Sequence, residues 1–209
     1  MELQADPRSL EASKVEGKTR ARWRRQIPSD LVLIVVWALL AFASQEVRDA
    51  RQRRARVDAA LASIRDELTA NKSRVAQALE KHRFLADTLG KLVARHARPD
   101  VSIYSNGMFN PAPVTSIAWQ AARETGALGD MPWATVLSIA PVYEAQERYR
   151  TLAEAMSVAI MSDARRDGMD AVLRDRFAQF VPLDVDFAHR ESNLLDVYSE
   201  ALTQLAQVR

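Results

Sequence analysis

The stretch LVLIVVWALLAFASQE, residues 31–46, decides how this chain is read. Its first thirteen residues, 31–43, are uninterruptedly apolar; ARWRR precedes the stretch and VRDARQRRAR follows it. Alone, a run this short fits a core helix or the apolar part of a secretion signal as well as a membrane helix. The flanks decide between them. Over 27–44 the polar residues Ser29, Asp30 and Ser44 and the lone Pro28 sit at the ends. Those eighteen residues, at about 1.5 Å each, make roughly 27 Å of helix against a hydrocarbon core of about 30 Å. Pro28 suits a helix start, and Asp30 falls in a first turn, where the helix dipole favours an acid. Trp23 stands among arginines, the setting of an indole at headgroup level. Ala41-Phe42-Ala43 has the small-x-small form of a signal cleavage site, but thirty residues precede the apolar run, more than such a signal carries. The expectation is an uncleaved transmembrane helix over 27–45, preceded by a basic tail over 1–26 expected to be disordered.

The charges flanking this segment are close to balanced: Arg20, Arg22, Arg24 and Arg25 before it, Arg48, Arg51, Arg53 and Arg54 after it. A short basic tail is harder to translocate than a large domain, which crosses largely regardless of charge. The expected placement is therefore a single-pass protein of a bacterial inner membrane, with a cytoplasmic N-terminus and an extracytoplasmic C-terminal domain. Arg51, Arg53 and Arg54 are candidate contacts for anionic lipid head groups.

The rest of the chain reads as helix. The 209 residues are 48% hydrophobic and 27% charged, values of a folded protein, and six glycines against abundant Ala, Leu, Arg and Glu favour helix over strand. A net charge of +2 argues against general nucleic-acid binding. The absence of cysteine excludes disulfides, thiolate metal sites and cysteine nucleophiles. No proline falls between Pro28 and Pro99. Apolar residues at Val57, Leu61, Ile64 and Leu68, then Val75, Leu79, Leu85, Leu89 and Leu92, mark a long stem helix over 46–97, with Gly90 its weakest point. Asn71 falls on the same stripe, where a polar side chain meets a partner or sets register, and Glu67 lies one turn earlier within reach of it.

These residues resemble an uncharacterised family of small single-pass bacterial inner-membrane proteins. Its members have a short tail, a LIVVGVLIAL-type helix, a basic stem and a Glu-Leu-x-x-Asn motif. That motif stands here as Glu67-Leu68-Thr69-Ala70-Asn71. The segment SIAWQAARETGALGDMPWATVLSIAPVYEAQERY is similar to the family's Trp-containing helix, Thr-Gly turn and Tyr-ending helix, through Trp119, Thr125, Gly126, Leu137 and Tyr143. Trp37 departs from the family, which more often has glycine there and so permits closer helix packing in the membrane. The resemblance implies topology and fold, and no activity.

Residues 98–114 are a loop: Asn106-Gly107 signals a turn, and Pro99, Pro111 and Pro113 exclude regular helix. The loop is apolar for its kind, with Tyr104, Met108 and Phe109, and is expected to pack on the bundle, dip towards the membrane or dock a partner. Helices are expected from about Thr115 to Thr125, from an Asp130 N-cap to about Ser162 with a kink at Pro141, from Gly168 to about Phe180, and from Asp186 to Gln207. Together 115–209 form an antiparallel helical bundle packed on the stem.

Little in the sequence speaks of chemistry. Asp186-x-x-His189 lacks the second copy that a bundle metal site needs, and Glu80-x-His82 has the wrong spacing for one helix face. The three histidines read as surface or bundle-edge residues. No nucleophile elbow, phosphate loop or dinucleotide fingerprint occurs. No catalytic, cofactor or metal residue is assigned. Trp119 and Tyr143 join Glu67 and Asn71 as structural or interaction candidates. The leading expectation is a non-enzymatic, membrane-anchored helical interaction module that binds a protein partner or itself. The alternative is an extracytoplasmic ligand-sensing bundle working through a separate signalling partner.

Overall fold

The computed structural model describes residues 29–105, 107 and 109–207; the basic tail expected over 1–26 lies outside them, as does Met108. The described residues are helical with connecting segments and contain no strand, so the chain is all-α. They divide into two compact units, the first ending at Gln52 and the second beginning at Arg53.

The first helix, α1, spans Ser29–Ala94. In the first unit its large apolar side chains from Val32 to Phe42 are all exposed, from 47% at Val36 to 71% at Phe42. Among the described residues no helix is long and apolar enough to cross a membrane. The transmembrane helix expected over 27–45 is thus not found in that form. Residues 27 and 28 of that span lie outside the described residues, and an 18-residue stretch beginning at Val32 takes in Glu46, Arg48 and Asp49.

The second unit is built on a heptad stripe along α1. Val57, Leu61, Ile64, Leu68, Asn71, Val75, Ala78, His82, Leu85 and Leu89 alternate in steps of four and three, the spacing that keeps one seam against a partner. Apart from Val57, which is half-buried, these residues are all buried. The helix runs through Gly90 without a break and closes three residues before the expected end at 97, with His96 in the left-handed region (φ 49°).

Two further long helices, α4 (Trp133–Asp167) and α6 (Phe180–Gln207), complete the bundle. Contacts set their directions. Tyr143 meets Glu67 and Gln146 meets Asn71, so α4 runs parallel to α1. Arg65 meets the Leu205 carbonyl and His82 meets Glu191, so α6 is antiparallel to α1. It is antiparallel to α4 as well, through Tyr149 and Glu191. The expected antiparallel bundle is corrected to this mixed arrangement. The cause is the connection between α1 and α4, which returns along the bundle before α4 begins. It starts with a 3-10 turn, Val101–Tyr104, capped by Asp100 through the Ser102 N–H at 2.8 Å. It then passes Phe109 and Ala112, reaches Thr115, and ends in the short helices α2 (Ile117–Glu124) and α3 (Ala127–Asp130). The apolar loop thus packs on the bundle: Tyr104 and Ala112 are buried in it.

Element limits also shift. Asp130 ends α3 rather than capping α4, which follows Pro132 and continues through Pro141 to Asp167. Met169–Asp175 forms α5. Pro182 does not end a helix; it sits in the first turn of α6, where its missing N–H has no intrahelical partner to lose. The core has two parts. One gathers Ile64, Leu68, Ile139, Phe187 and Tyr198; the other gathers Leu85, Leu89, Ile160, Val172 and Phe180; Phe109 and Leu183 pack against both.

Candidate functional site

The buried polar groups form two layers. In the first, the Glu-Leu-x-x-Asn motif of α1 grips the segment that leads into α2. Asn71, fully buried, donates to the Thr115 carbonyl at 2.7 Å and accepts from the Thr115 N–H at 3.1 Å. Its amide thus pairs with one residue's backbone as a neighbouring strand would. Arg74 holds the Asn71 oxygen at 2.9 Å, and Gln146 of α4 lies 3.4 Å from the nitrogen. Glu67 accepts from the Ala118 N–H at 3.1 Å, from the Thr115 hydroxyl at 3.2 Å and from Tyr143 at 2.7 Å. Ser116, the residue before α2, makes no side-chain cap, so Glu67 caps that helix from across the bundle. Trp119 stacks on Tyr143 with ring centroids 5.0 Å apart. Burial, reinforced by the Glu67 bond, raises the Tyr143 pKa and keeps its proton on the phenol. All four residues singled out in the sequence, Glu67, Asn71, Trp119 and Tyr143, therefore meet here. Glu67 and Asn71 both address the 115–118 segment and hold it from one helix face.

The second layer was not foreseen. His82, expected at the surface or bundle edge, is 1% exposed, and its Nδ1 lies 2.8 Å from Glu191 Oε2, itself wholly buried. Tyr149 donates to Glu191 Oε1 at 2.6 Å and accepts from the Ala112 N–H at 2.7 Å. A chain of hydrogen bonds therefore runs Ala112–Tyr149–Glu191–His82 and joins the returning segment, α4, α6 and α1. Phe109 and Phe187 enclose the imidazole, with centroids 5.9 and 5.6 Å away. Burial again raises the Tyr149 pKa, with the Glu191 charge adding to it. Beside this chain lies Asp184, also buried. Burial lifts its pKa to about 7, the His82 charge opposing and the Glu191 charge adding. Burial, aided by the Asp184 charge, raises Tyr104 to about 12. His82 Nε2, Asp184 Oδ2 and the Tyr104 hydroxyl are buried with no hydrogen-bond partner among the described residues.

Chemically, the hydrogen bond between Nδ1 and Glu191 fixes the orientation of the ring. The layer thus brings two acids and an imidazole together without a nucleophile among its hydrogen-bonded members. Among the described residues no group of three or more His, Cys, Asp or Glu is placed to hold a metal ion. His189 is exposed, and its helical neighbour Asp186 binds Arg190 at 2.7 Å. Arg51, Arg53 and Arg54 are exposed. Two cavities flank the second layer: one of about 210 Å³ lined by His82, Leu85 and Ile103, the other of about 330 Å³ lined by Tyr104, Phe109 and Ile160.

Comparison with protein-family models, curated proteins and solved structures found no match to this chain.

Proposed function

We propose that the chain is a membrane-anchored helical interaction module. Residues 27–45 seat it in a bacterial inner membrane and the second unit is displayed to a protein partner or a second copy. The observation that carries the reading is the apolar stretch of α1 from Val32 to Phe42, exposed around the whole helix. A helix that is apolar all round is found buried, in protein or lipid. Leaving nine large apolar side chains in water forfeits on the order of 10 kcal/mol of transfer free energy. Lipid recovers that, and the following Arg51, Arg53 and Arg54 suit anionic head groups at about 1 kcal/mol each. The short apolar run requires snorkelling flanks, which arginine supplies. The partner function is supported by exposed Ile117, Trp133 and Leu137, the last two on one face of α4.

A second reading, a ligand-sensing bundle that signals through another protein, is favoured by one observation. Two of the buried polar atoms without partners among the described residues, His82 Nε2 and the Tyr104 hydroxyl, belong to residues that line cavities.

The chain's lack of cysteine makes a topology experiment direct. Single cysteines replace Ser13 or Ser105 and are probed in intact cells with a membrane-impermeant thiol reagent, alongside fractionation. The expected result is a membrane-bound chain labelled at position 105 and protected at 13. Labelling at 13 alone reverses the orientation, and a chain recovered in the soluble fraction removes the anchor.

A further inference from the structure

We propose that the groove between α1 and α2 binds a long-chain fatty acid, its single acyl chain along the groove and its carboxylate at Arg56. This deepens the ligand-sensing reading and rests on it.

The groove has a volume of about 540 Å³ and belongs to the second unit. Ala59 and Ala60 of α1 and Ala118, Ala121 and Ala122 of α2 line it, and their short side chains leave the space open. Ala59 and Ala121 are exposed, so the groove is reached from water. Its two walls run in opposite directions. At one end Glu67 receives the Ala118 N–H; at the other Arg56 meets Asp130, which lies beyond α2. From Arg56 to Glu67 α1 advances eleven residues, roughly 16 Å at about 1.5 Å each, the reach of an extended chain such as myristate.

The polar groups of the lining select the guest. Ser63 donates to the Ala59 carbonyl at 3.0 Å and Thr125 to the Ala121 carbonyl at 2.7 Å. Glu67 holds Thr115, Ala118 and Tyr143. These three side chains are engaged within the protein, which leaves the length of the groove to apolar contact. Arg56 differs. Its pairing with Asp130, 3.4 Å between two exposed groups, contributes little. A guanidinium carries five donors, enough to take a carboxylate in bidentate fashion as well. Arg53, three positions earlier on the same face of α1, adds positive charge at this end. The groove is thus apolar along its length and cationic at one end. A long-chain carboxylate has the complementary pattern, whereas an alcohol of equal length lacks the charge and a short acid lacks the chain. A methylene is worth about fourfold in affinity when fully buried, and about twofold in a groove open on one side.

The test is photolabelling of the full chain in vesicles with a diazirine-bearing myristate, the adducts being located by peptide mass spectrometry. Expected are adducts on peptides covering 56–67 and 117–125, competed by excess myristate and about tenfold less well by decanoate or by tetradecanol. Ala121→Trp, which fills the groove from an exposed position, removes these adducts. Arg56→Gln makes myristate and tetradecanol compete equally. Circular dichroism of each variant reports folding; if Ala121→Trp unfolds, Ala59→Trp fills the groove from the opposite wall. Adducts that survive a folded tryptophan variant overturn the site, as does tetradecanol competing as well as myristate in the wild type. A groove without adducts whose 117–125 segment crosslinks to a second copy is an interface instead, and also overturns it. Competed adducts elsewhere in 53–207 overturn the groove but keep the ligand-sensing reading; no competed adduct anywhere in 53–207 overturns both. Adducts on 32–42 report bilayer contact separately.

Discussion

At the level of single residues, Asn71 and Asp184 represent opposite solutions to burying a polar group. Asn71 is satisfied by the Thr115 backbone, with Arg74 and Gln146 completing its partners. Its replacement by Leu leaves the Thr115 N–H and C=O without partners in a half-buried position, at about 1–3 kcal/mol for each group left unmet. Asn71→Leu should therefore melt several degrees below wild type, while Lys72→Leu, half-buried one position on, moves the midpoint by a degree or two. Equal midpoints for the two variants would refute the clasp. Asp184 is unsatisfied, and its effect depends on pH. Its folded pKa, about 7, lies above the unfolded value near 3.8. Folding therefore favours the protonated acid. The stability it contributes is complete below about pH 4, declines as pH rises towards 7, and is absent above that. Denaturant unfolding between pH 4 and 8 should show this decline in wild type and a flatter profile in Asp184→Asn. A parallel decline in both proteins would assign it to another group.

The elements show how far sequence reasoning reaches. The long α1, the loop with its prolines, the stop at Gly126 and the restart after Gly168 were all legible, because periodicity and helix-breaking residues act locally. The parallel course of α4 was not legible, because direction depends on where Thr115 and Ala112 bind, and those partners lie 44 and 37 residues away. His82 carried a readable signal that single-residue rules obscured. It continues the alternation Asn71, Val75, Ala78, His82, Leu85 on α1, just as Glu191 continues Phe187, Glu191, Leu194, Tyr198 on α6. A polar residue on such a stripe is buried by its neighbours, whatever its own preference. The cap of α2 is similar: Ser116 is the expected local capping residue, yet Glu67 performs the task from α1. Glu67→Ala should then cost about 1 kcal/mol through the lost cap, with hydrogen exchange quickened in α2 first. Faster exchange confined to α1 would show that Glu67 serves its own helix instead.

For the molecule as a whole, the two units contrast in what covers their apolar surface. The second unit encloses its heptad stripe with α4, α6 and the returning segment, whereas Val32 to Phe42 in the first is left exposed. Trp37 lies in the middle of that exposed run, 66% accessible, while Trp119 is stacked on Tyr143 in the second unit. The bilayer reading therefore makes a prediction that distinguishes lipid from protein as the covering phase. Vesicles carrying bromine midway along the acyl chains quench only indoles that reach the hydrocarbon. Added to the full chain, they should quench a large part of the Trp37 emission and shift its maximum to the blue. Trp37→Phe should lose most of this quenching while retaining the emission of Trp119 and Trp133. Vesicles with a third of anionic lipid should bind more chain than neutral ones, and replacing Arg51, Arg53 and Arg54 by Ser should remove that excess, at about 1 kcal/mol per charge. If quenching is absent and sedimentation instead reports a stable oligomer in which Trp37 is shielded, a second copy covers the run. The anchor is then replaced by a helix–helix interface.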